Sequence, residues 1–240
     1  MMSSVENSDL ERIFWTGGWD STFLLLNRVI VDKNPVQPIY LIDSRRLSTR
    51  MELRTLDRIR RELLRLNPEA ASRIMPLIYQ STVDIPKDQL ISDKFNVLKA
   101  KYGLGGQYDF IVRYQALSKG SRIAIAIHLD DKLEPVARSF HGLNGAQAGH
   151  GIECELFQGF DFPLLDINKL QMEATSKEMG FSDLMEMTWF CHKPTGSRLN
   201  HACGVCNPCK YTIQEGMARR VNFRGRLRYH LDRVLPRIRA

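Results

Sequence analysis

Hydrophobic positions along this chain fall into two kinds of segment: short apolar runs and longer stretches with helical periodicity. The short runs predict strands over residues 11–16, 37–43, 73–79 and 122–128. The periodic stretches predict helices over residues 19–32, 49–66, 92–101, 108–118, 167–179 and 182–187. Because strands that alternate with helices form parallel sheets, the pattern predicts an α/β fold with helices on both faces of a parallel sheet.

A glycine turn joins the first predicted strand to the first predicted helix. Residues 16–22 read Thr16-Gly17-Gly18-Trp19-Asp20-Ser21-Thr22. The glycines let the backbone approach a phosphate, and the unpaired N–H groups of the following helix favour anions. We expect Asp20, Ser21 or Thr22 to cap the helix, and the hydroxyls of Thr16, Ser21 and Thr22 to donate to phosphate oxygens. The alternative is an ordinary strand-to-helix turn capped by Asp20.

Four of the five cysteines lie close together near the carboxyl end of the sequence: Cys191, Cys203, Cys206 and Cys209. No long apolar run or leader-like segment accompanies them, which predicts a soluble, cytoplasmic protein with reduced thiols and no membrane association. The spacing therefore indicates a closed tetrahedral zinc site, with an iron–sulfur cluster as the competing interpretation. Asn207 and Pro208 predict the cap and first residue of a helix over Lys210–Arg219. Cys154 is interpreted as a packing residue.

The two ends of the chain together resemble the 7-cyano-7-deazaguanine synthase (QueC-like) family of PP-loop ATP pyrophosphatases. The loop is similar to the Ser-Gly-Gly-x-Asp-Ser pattern of those enzymes, with Thr16 at the first position. The resemblance continues, in order, through Asp43 at the end of the second strand, Glu52-Leu53, Pro163–Lys169, Thr188–His192 and Cys203–Cys209. The chain departs from the family's pattern at Ser44-Arg45-Arg46, at Gln107-Tyr108, between Asp130 and Gly151, and at Thr212.

This resemblance implies an adenine nucleotide alpha hydrolase-like, Rossmann-like domain over residues 1–187 and a small helical zinc-binding subdomain with four cysteine ligands over residues 188–240. It implies ATP, Mg²⁺ and Zn²⁺ as cofactors, with the nucleotide bound by the loop from Thr16 to Thr22 and by Asp43. Asp20, Ser21 and Lys169 are the residues expected to take part in catalysis. The implied activity is adenylation of a 7-carboxy-7-deazaguanine carboxylate and its conversion with ammonia to an amide or nitrile, releasing AMP and pyrophosphate.

Three alternatives remain open from the sequence. A diverged enzyme could join the activated carboxylate to an amine on a protein or nucleic acid. A tRNA-modifying PP-loop enzyme is a second alternative, although Cys154 is its only spare thiol. The third is a zinc-stabilised nucleic-acid-binding module with a degenerate nucleotide site. The oligomeric state is open as well, with a homodimer among the assemblies considered.

Charge and glycine content add two further expectations. Residues 210–240 hold nine basic and two acidic residues, a surplus that equals the +7 of the whole chain. Such a segment could contact nucleic acid, but its few aromatics favour a solvated helix face. His128–Asp131 follow the fourth predicted strand, and their acids could hold Mg²⁺ or substrate or form a solvated loop. The glycine-rich stretch over residues 132–160 predicts an active-site lid.

Overall fold

A five-stranded parallel sheet forms the centre of the protein. The computed structural model describes residues 10–118, 120–140, 151–196 and 200–234. The strands are β1 Glu11–Phe14, β2 Val36–Ile42, β3 Ile78–Ser81, β4 Ile123–Ala124 and β5 Phe160–Asp161. Their order across the sheet is β3-β2-β1-β4-β5, so the chain reverses its direction of travel between β1 and β4. The carboxyl ends of these two strands flank the crevice where open α/β sheets bind ligands.

Helices connect and cover the strands. They are α1 Trp19–Leu26, α2 Thr49–Leu66, α3 Pro68–Ser72, α4 Gln89–Tyr102, α5 Gln107–Ala116, α6 Glu134–Arg138, α7 Ile152–Phe157, α8 Lys169–Glu178, α9 Ser182–Glu186, α10 Asn207–Thr212 and α11 Phe223–Val234. Short π-helical segments follow α1 and α10, over Asn27–Val31 and Ile213–Met217. In the described parts of the chain, no helix combines the length and apolarity that a membrane crossing requires.

Alternate residues of the strands face two separate hydrophobic cores. Ile13 and Tyr40 pack on one face with α1, α2, α8 and α9. Phe14 and Ile39, their neighbours along the chain, pack on the other face with α4, α5, α6 and α7. Because both faces are covered, the predicted arrangement of a parallel sheet between two helical layers is confirmed.

The predicted element boundaries were wrong at several places. The strand predicted over residues 73–79 is only a bridge between Ile74 and Val36, and the true strand starts at Ile78. Pro76 interrupts the predicted strand because proline has no N–H to donate to a ladder. The helix predicted over Lys210–Arg219 breaks at Gly216, whose φ is 84°. Its N-cap is Cys206 rather than Asn207.

The predicted lid over residues 132–160 is described in part. It contains α6, α7 and the start of β5, so it is more structured than a glycine-rich loop. Phe157 and Phe160 pack against each other in the second core, with their tilted rings 5.7 Å apart between centroids, which anchors this stretch to the sheet. Residues 141–150, with Gly142, Gly145 and Gly149, lie outside the described part of the chain.

Candidate active-site cleft and metal centre

A cleft of about 360 Å³ opens at the carboxyl end of β1, beside β2 and Asp131 in the segment that follows β4. Its walls carry residues from the predicted phosphate loop, from the start of α8 and from the cysteine-rich segment. The residues that bear polar or charged groups into it include Thr16, Asp20, Arg46, Glu52, Asp131, Lys169 and Arg220. Its position at the reversal of strand order is the place expected for a ligand site in such a sheet.

The glycine turn after β1 has the geometry that its sequence suggests. Gly17 adopts a φ of 73°, and a Cβ there would lie 3.2 Å from the methyl group of Thr55. Gly18 is the N-cap of α1, and no side chain caps this helix. The expectation that Asp20, Ser21 or Thr22 would cap α1 was therefore wrong. Without a side-chain cap, the first N–H groups of α1 remain available to a bound anion.

The three hydroxyls of the loop have different surroundings. Those of Thr16 and Ser21 lie 3.1 Å apart, and Ser21 also accepts a hydrogen bond from the Thr16 N–H at 3.3 Å. Only Thr16 of the three is among the residues lining the cleft. Thr22 is fully buried and accepts a hydrogen bond from the Trp15 indole at 3.0 Å. The structure therefore places Thr22 in the core, where its hydroxyl fixes the helix against β1.

Asp20 lines the cleft and has a carboxylate oxygen that forms no hydrogen bond with the described residues. Its Oδ1 is buried and has no hydrogen-bond partner among the described residues. The nearest cation-forming group is Nε2 of His128, 3.9 Å away. His128 accepts the Asp130 N–H at Nδ1, so a neutral ring carries its proton on Nε2, facing Asp20. A buried carboxylate oxygen without a partner is costly, which suggests that a ligand or cation supplies one.

Lys169 projects into the same cleft from the first residue of α8. Its Nζ lies 2.8 Å from Glu215 Oε2, so Glu215 holds the ammonium group in place. Burial works against the charge of Lys169, but the carboxylates of Asp20 and Glu215 outweigh it and raise the pKa of the lysine. Lys169 therefore stays protonated at neutral pH and offers a positive charge near Asp20.

Asp131 is the acid of the His128–Asp131 segment that reaches the cleft, whereas Asp130 is exposed. Burial raises the pKa of Asp131, and the nearby Asp20 carboxylate adds to the rise. Its Oδ1 accepts the Leu133 N–H at 2.8 Å, which fixes the side chain. Asp20, Asp131 and Lys169 thus form one coupled group of charges at the edge of the sheet.

We expect Asp131→Asn to stabilise the ligand-free protein at pH 7. Because the raised pKa means that the folded state disfavours the charged carboxylate, its removal should raise the free energy of unfolding by about 0.5–1 kcal/mol. The gain should shrink as the pH falls through the raised pKa of the folded-state aspartate and disappear below about 4, where Asp131 is protonated in the folded and unfolded states alike. Chemical denaturation at several pH values measures this. A variant less stable than the wild type at pH 7 would contradict it.

A buried hydrogen-bond network lies beside the loop and was not foreseen from the sequence. Glu52 accepts hydrogen bonds from Tyr40 at 2.8 Å, from Ser48 at 2.7 Å and from Arg46 at 2.9 Å. Arg46 is one of the positions that depart from the resembled family, and it lines the cleft. Asp43, predicted to bind nucleotide, is not among the described residues lining the cleft and accepts hydrogen bonds from the backbone and side chain of Arg45 at 3.1 Å. Although burial opposes the change, these bonds lower the pKa of Asp43.

An arginine held between aromatic rings closes the other side of the cleft. The Arg220 guanidinium lies 4.6 Å from the Trp19 ring centroid and 5.1 Å from that of Phe190. It also donates to the Thr188 carbonyl at 2.8 Å. Burial lowers the pKa of Arg220 to about 10, which still leaves it charged at neutral pH. The indole nitrogen of Trp19 is buried without a partner among the described residues.

The four predicted cysteine ligands come together, and the group could hold a metal ion. The sulfurs of Cys191, Cys203, Cys206 and Cys209 all lie within 4.8 Å of one another and are buried. Two sulfur pairs are 3.9 Å apart, close to the separation of about 3.8 Å that a tetrahedral site with Zn–S bonds of about 2.3 Å requires. Backbone N–H groups of Val205 and Cys206 point at the Cys203 sulfur, at 3.4 and 3.3 Å. Cys154 lies apart from the group, against the second core.

Trp189 joins this cysteine group to the phosphate loop. Its backbone N–H donates to the Gly17 carbonyl at 2.9 Å. Its indole N–H donates to the Cys191 carbonyl at 2.8 Å. Trp189 therefore links the backbone of the cysteine-rich segment to the turn before α1 through two hydrogen bonds.

We expect Gly204→Ala to destabilise the cysteine-rich segment. Gly204 has a φ of 81°, and a Cβ there would lie 1.8 Å from the Gly225 carbonyl oxygen of α11. The strained backbone and the clash together should cost at least about 2 kcal/mol. Thermal unfolding of Gly180→Ala is the matched control, because Gly180 has a φ of 77° but nothing within 4 Å of an added Cβ. Equal melting temperatures for the two variants would contradict the expected clash.

Neither a scan against models of protein families nor a search of curated proteins found a match for this chain.

Proposed function

We propose that the protein is an ATP-dependent carbon–nitrogen ligase that forms AMP and pyrophosphate. The observation that carries this proposal is the unpartnered, buried Oδ1 of Asp20 at the uncapped start of α1, near the charge of Lys169. Such a site offers N–H donors and a lysine to an anion and a carboxylate oxygen to a cation. The strand order supports the proposal, since β3-β2-β1-β4-β5 is that of doubly wound nucleotide-binding sheets.

The loop and Lys169 have separate roles in the proposed reaction. The N–H groups at the start of α1 and the Thr16 hydroxyl bind the β- and γ-phosphates of ATP. An acceptor carboxylate attacks the α-phosphorus, which gives an acyl-adenylate and expels pyrophosphate. Lys169, held by Glu215, stabilises the negative charge that develops on the phosphate oxygens in the transition state. An amine then attacks the acyl carbon and releases AMP.

Asp20 and Asp131 would hold Mg²⁺ in this cleft. Both acids line it, and a hard divalent cation prefers carboxylate oxygens such as the unpartnered Oδ1 of Asp20. When bound, Mg²⁺ supplies charge neutralisation to the phosphate oxygens. The nearby positive charge of Lys169 lowers the cost of placing two carboxylates in one site.

We propose a 7-carboxy-7-deazaguanine carboxylate as acceptor and ammonia as the amine, with an amide or nitrile as product. The resemblance of Pro163–Lys169 and of the cysteine-rich segment to the deazaguanine synthases supports this choice. The cleft offers aromatic surface from Trp19 and Phe190 to a planar base. The cysteine group is proposed to hold a structural Zn²⁺, since four thiolates leave no open position for catalysis.

Incubation with ATP, Mg²⁺, ammonia and 7-carboxy-7-deazaguanine, followed by mass detection, tests the acceptor. We expect the amide or nitrile and an equivalent of AMP for each activation. Lys169→Ala should lower kcat about 100-fold and leave KM within a few-fold, because its charge acts mainly on the transition state. If the compound neither binds nor stimulates AMP formation, the enzyme acts on another carboxylate.

A second candidate joins the activated carboxylate to an amine on a macromolecule. The observation that favours it is the opening of the cleft: Trp189, Phe190 and Arg220 line both the cleft and a larger cavity of about 660 Å³. A bulky acceptor could reach the acyl carbon from that side. Formation of AMP from the deazaguanine carboxylate without amide or nitrile would favour this candidate, and mass spectrometry of a protein or RNA acceptor would identify the conjugate.

A further inference from the structure

A cavity of about 660 Å³ lies beside the cleft, between α2 and the cysteine-rich segment, and among the described residues its lining holds four arginines against the two acids Asp57 and Glu186. Three arginines of α2 line one wall: Arg54, Arg58 and Arg61. Their spacing of three and four residues places them on one face of the helix. The opposite wall carries His201 and Asn222, and the buried Arg220 separates this cavity from the cleft.

These arginines retain hydrogen-bonding capacity towards a ligand. Arg54 is exposed and forms no hydrogen bond or ion pair with the described residues. Arg58 donates one hydrogen bond, to the Met187 carbonyl at 2.9 Å, and its other N–H groups can donate to a ligand. Arg61 pairs with Asp57, but its side chain is 73% exposed. An exposed ion pair of this kind contributes little and is easily exchanged for a phosphate.

The basic surface continues from this cavity to α11. His201 and Asn222 also line a third cavity of about 500 Å³. Its other walls include Arg224, Arg228 and Phe223, a phenylalanine that is 72% exposed. We call this surface, from Arg54 on α2 to Arg228 on α11, the basic track.

Aromatic side chains occur along the track at both cavities. Trp189 and Phe190 line the 660 Å³ cavity, are only partly buried and stack with an interplanar angle of 25°. Phe223 is exposed in the 500 Å³ cavity. Proteins that bind single-stranded DNA or RNA combine arginines that contact the phosphate backbone with aromatic rings on which the bases stack. An acidic peptide would use the charges of the track but not its exposed rings.

We propose that the basic track binds single-stranded nucleic acid. The guanidinium groups of α2 and α11 contact successive phosphates, because a guanidinium fork matches phosphate oxygens in pairs. Phe223 stacks on a base, and the strand passes the Trp189–Phe190 pair at the mouth of the cleft. This binding goes beyond the proposed ligase activity and needs neither ATP nor a carboxylate, so either can fail without the other.

Fluorescence anisotropy of the full chain with a labelled single strand of about 12 nucleotides tests the proposal. The probes are an RNA and a DNA of the same mixed sequence and a polyglutamate peptide of equal charge, each measured over a range of salt from about 50 mM upward. We expect RNA, DNA or both to bind, with an affinity that falls steeply as salt rises. Preference between the two tells which nucleic acid is the ligand.

Variants separate the two kinds of contact. Arg54→Glu should weaken binding about ten-fold and lower the salt slope by about one. Phe223→Ala should weaken it about five-fold with an unchanged salt slope, because stacking releases no counterions. Lys87→Glu, an exposed charge reversal outside all three cavities, is the control and should change binding less than two-fold.

Two results would overturn the proposal. One is the absence of RNA and DNA binding at the lowest salt. The other is polyglutamate binding that matches the nucleic acids, is lost in Arg54→Glu and is unaffected in Phe223→Ala. That pattern would instead make the track a docking surface for an acidic protein.

Discussion

Cys203→Ser should abolish the zinc binding that we propose and leave the cysteine-rich segment unfolded. The Cys203 sulfur accepts two backbone N–H groups and lies 3.9 Å from the Cys209 sulfur, at the centre of a buried cluster. Structural zinc sites contribute roughly 10 kcal/mol or more to folding, and a hydroxyl cannot replace the thiolate as a ligand. Elemental analysis should find about one zinc per chain in the wild type and almost none in the variant.

Cys154→Ser is the matched control, since Cys154 lies outside the cysteine group. It should keep its zinc and its melting temperature within a few degrees of the wild type. Iron with inorganic sulfide in the wild-type protein, or no metal at all, would contradict the zinc assignment. Because Trp189 connects this segment to the Gly17 carbonyl, we also expect metal removal to loosen the phosphate loop.

Asp20→Ala should abolish pyrophosphate release, with a fall of about 1,000-fold or more in rate. In the proposed site Asp20 supplies the carboxylate oxygen that holds Mg²⁺ against the phosphates, and loss of such electrostatic stabilisation costs about 100- to 1,000-fold or more. A coupled pyrophosphate assay at saturating ATP measures the change. Asp130→Asn is the control, because Asp130 is exposed and does not line the cleft. Activity of Asp20→Ala within about ten-fold of the wild type would contradict the role of this residue.

Stability distinguishes this loss of activity from misfolding. The Asp20 Oδ1 has no hydrogen-bond partner among the described residues, so the substitution takes away no hydrogen bond at that atom and only the weaker attraction to His128 and Lys169. Asp20→Ala should therefore melt within a few degrees of the wild-type protein when no nucleotide is present. A large fall in melting temperature would mean that the residue is structural instead.

The fold class was predictable because both the strands and the helices have recognisable hydrophobic patterns in the sequence. Short apolar runs separated by amphipathic helices predict a parallel sheet, and the sheet is present. The two-residue strand Phe160–Asp161 was missed because so short a run has no periodicity to detect. The shift of β3 to Ile78 follows from Pro76, a signal that was available in the sequence. The helix Pro68–Ser72 is another such case, since Asn67 caps it and proline begins it.

The candidate site was predictable only where its residues share a motif. The cysteine spacing predicted four sulfurs that meet, and they do. The directions of single side chains were not predictable, because tertiary packing decides them. The Trp15 indole donates to the Thr22 hydroxyl in the core, and Arg45 donates to the Asp43 carboxylate. Arg220 enters the cleft from a part of the chain that carries no motif, and its contact with Trp19 depends on the whole fold.

The transfer of a heavy oxygen isotope from the acceptor carboxylate to the nucleotide tests the central proposal most directly. The protein would be incubated with ATP, Mg²⁺, ammonia and 7-carboxy-7-deazaguanine that carries ¹⁸O at both carboxylate oxygens. Mass spectrometry then determines which products contain the label. If the carboxylate attacks the α-phosphorus, AMP should carry one labelled oxygen and pyrophosphate none. Label in inorganic phosphate together with ADP, or AMP formed without label, would contradict an acyl-adenylate and with it the proposed function.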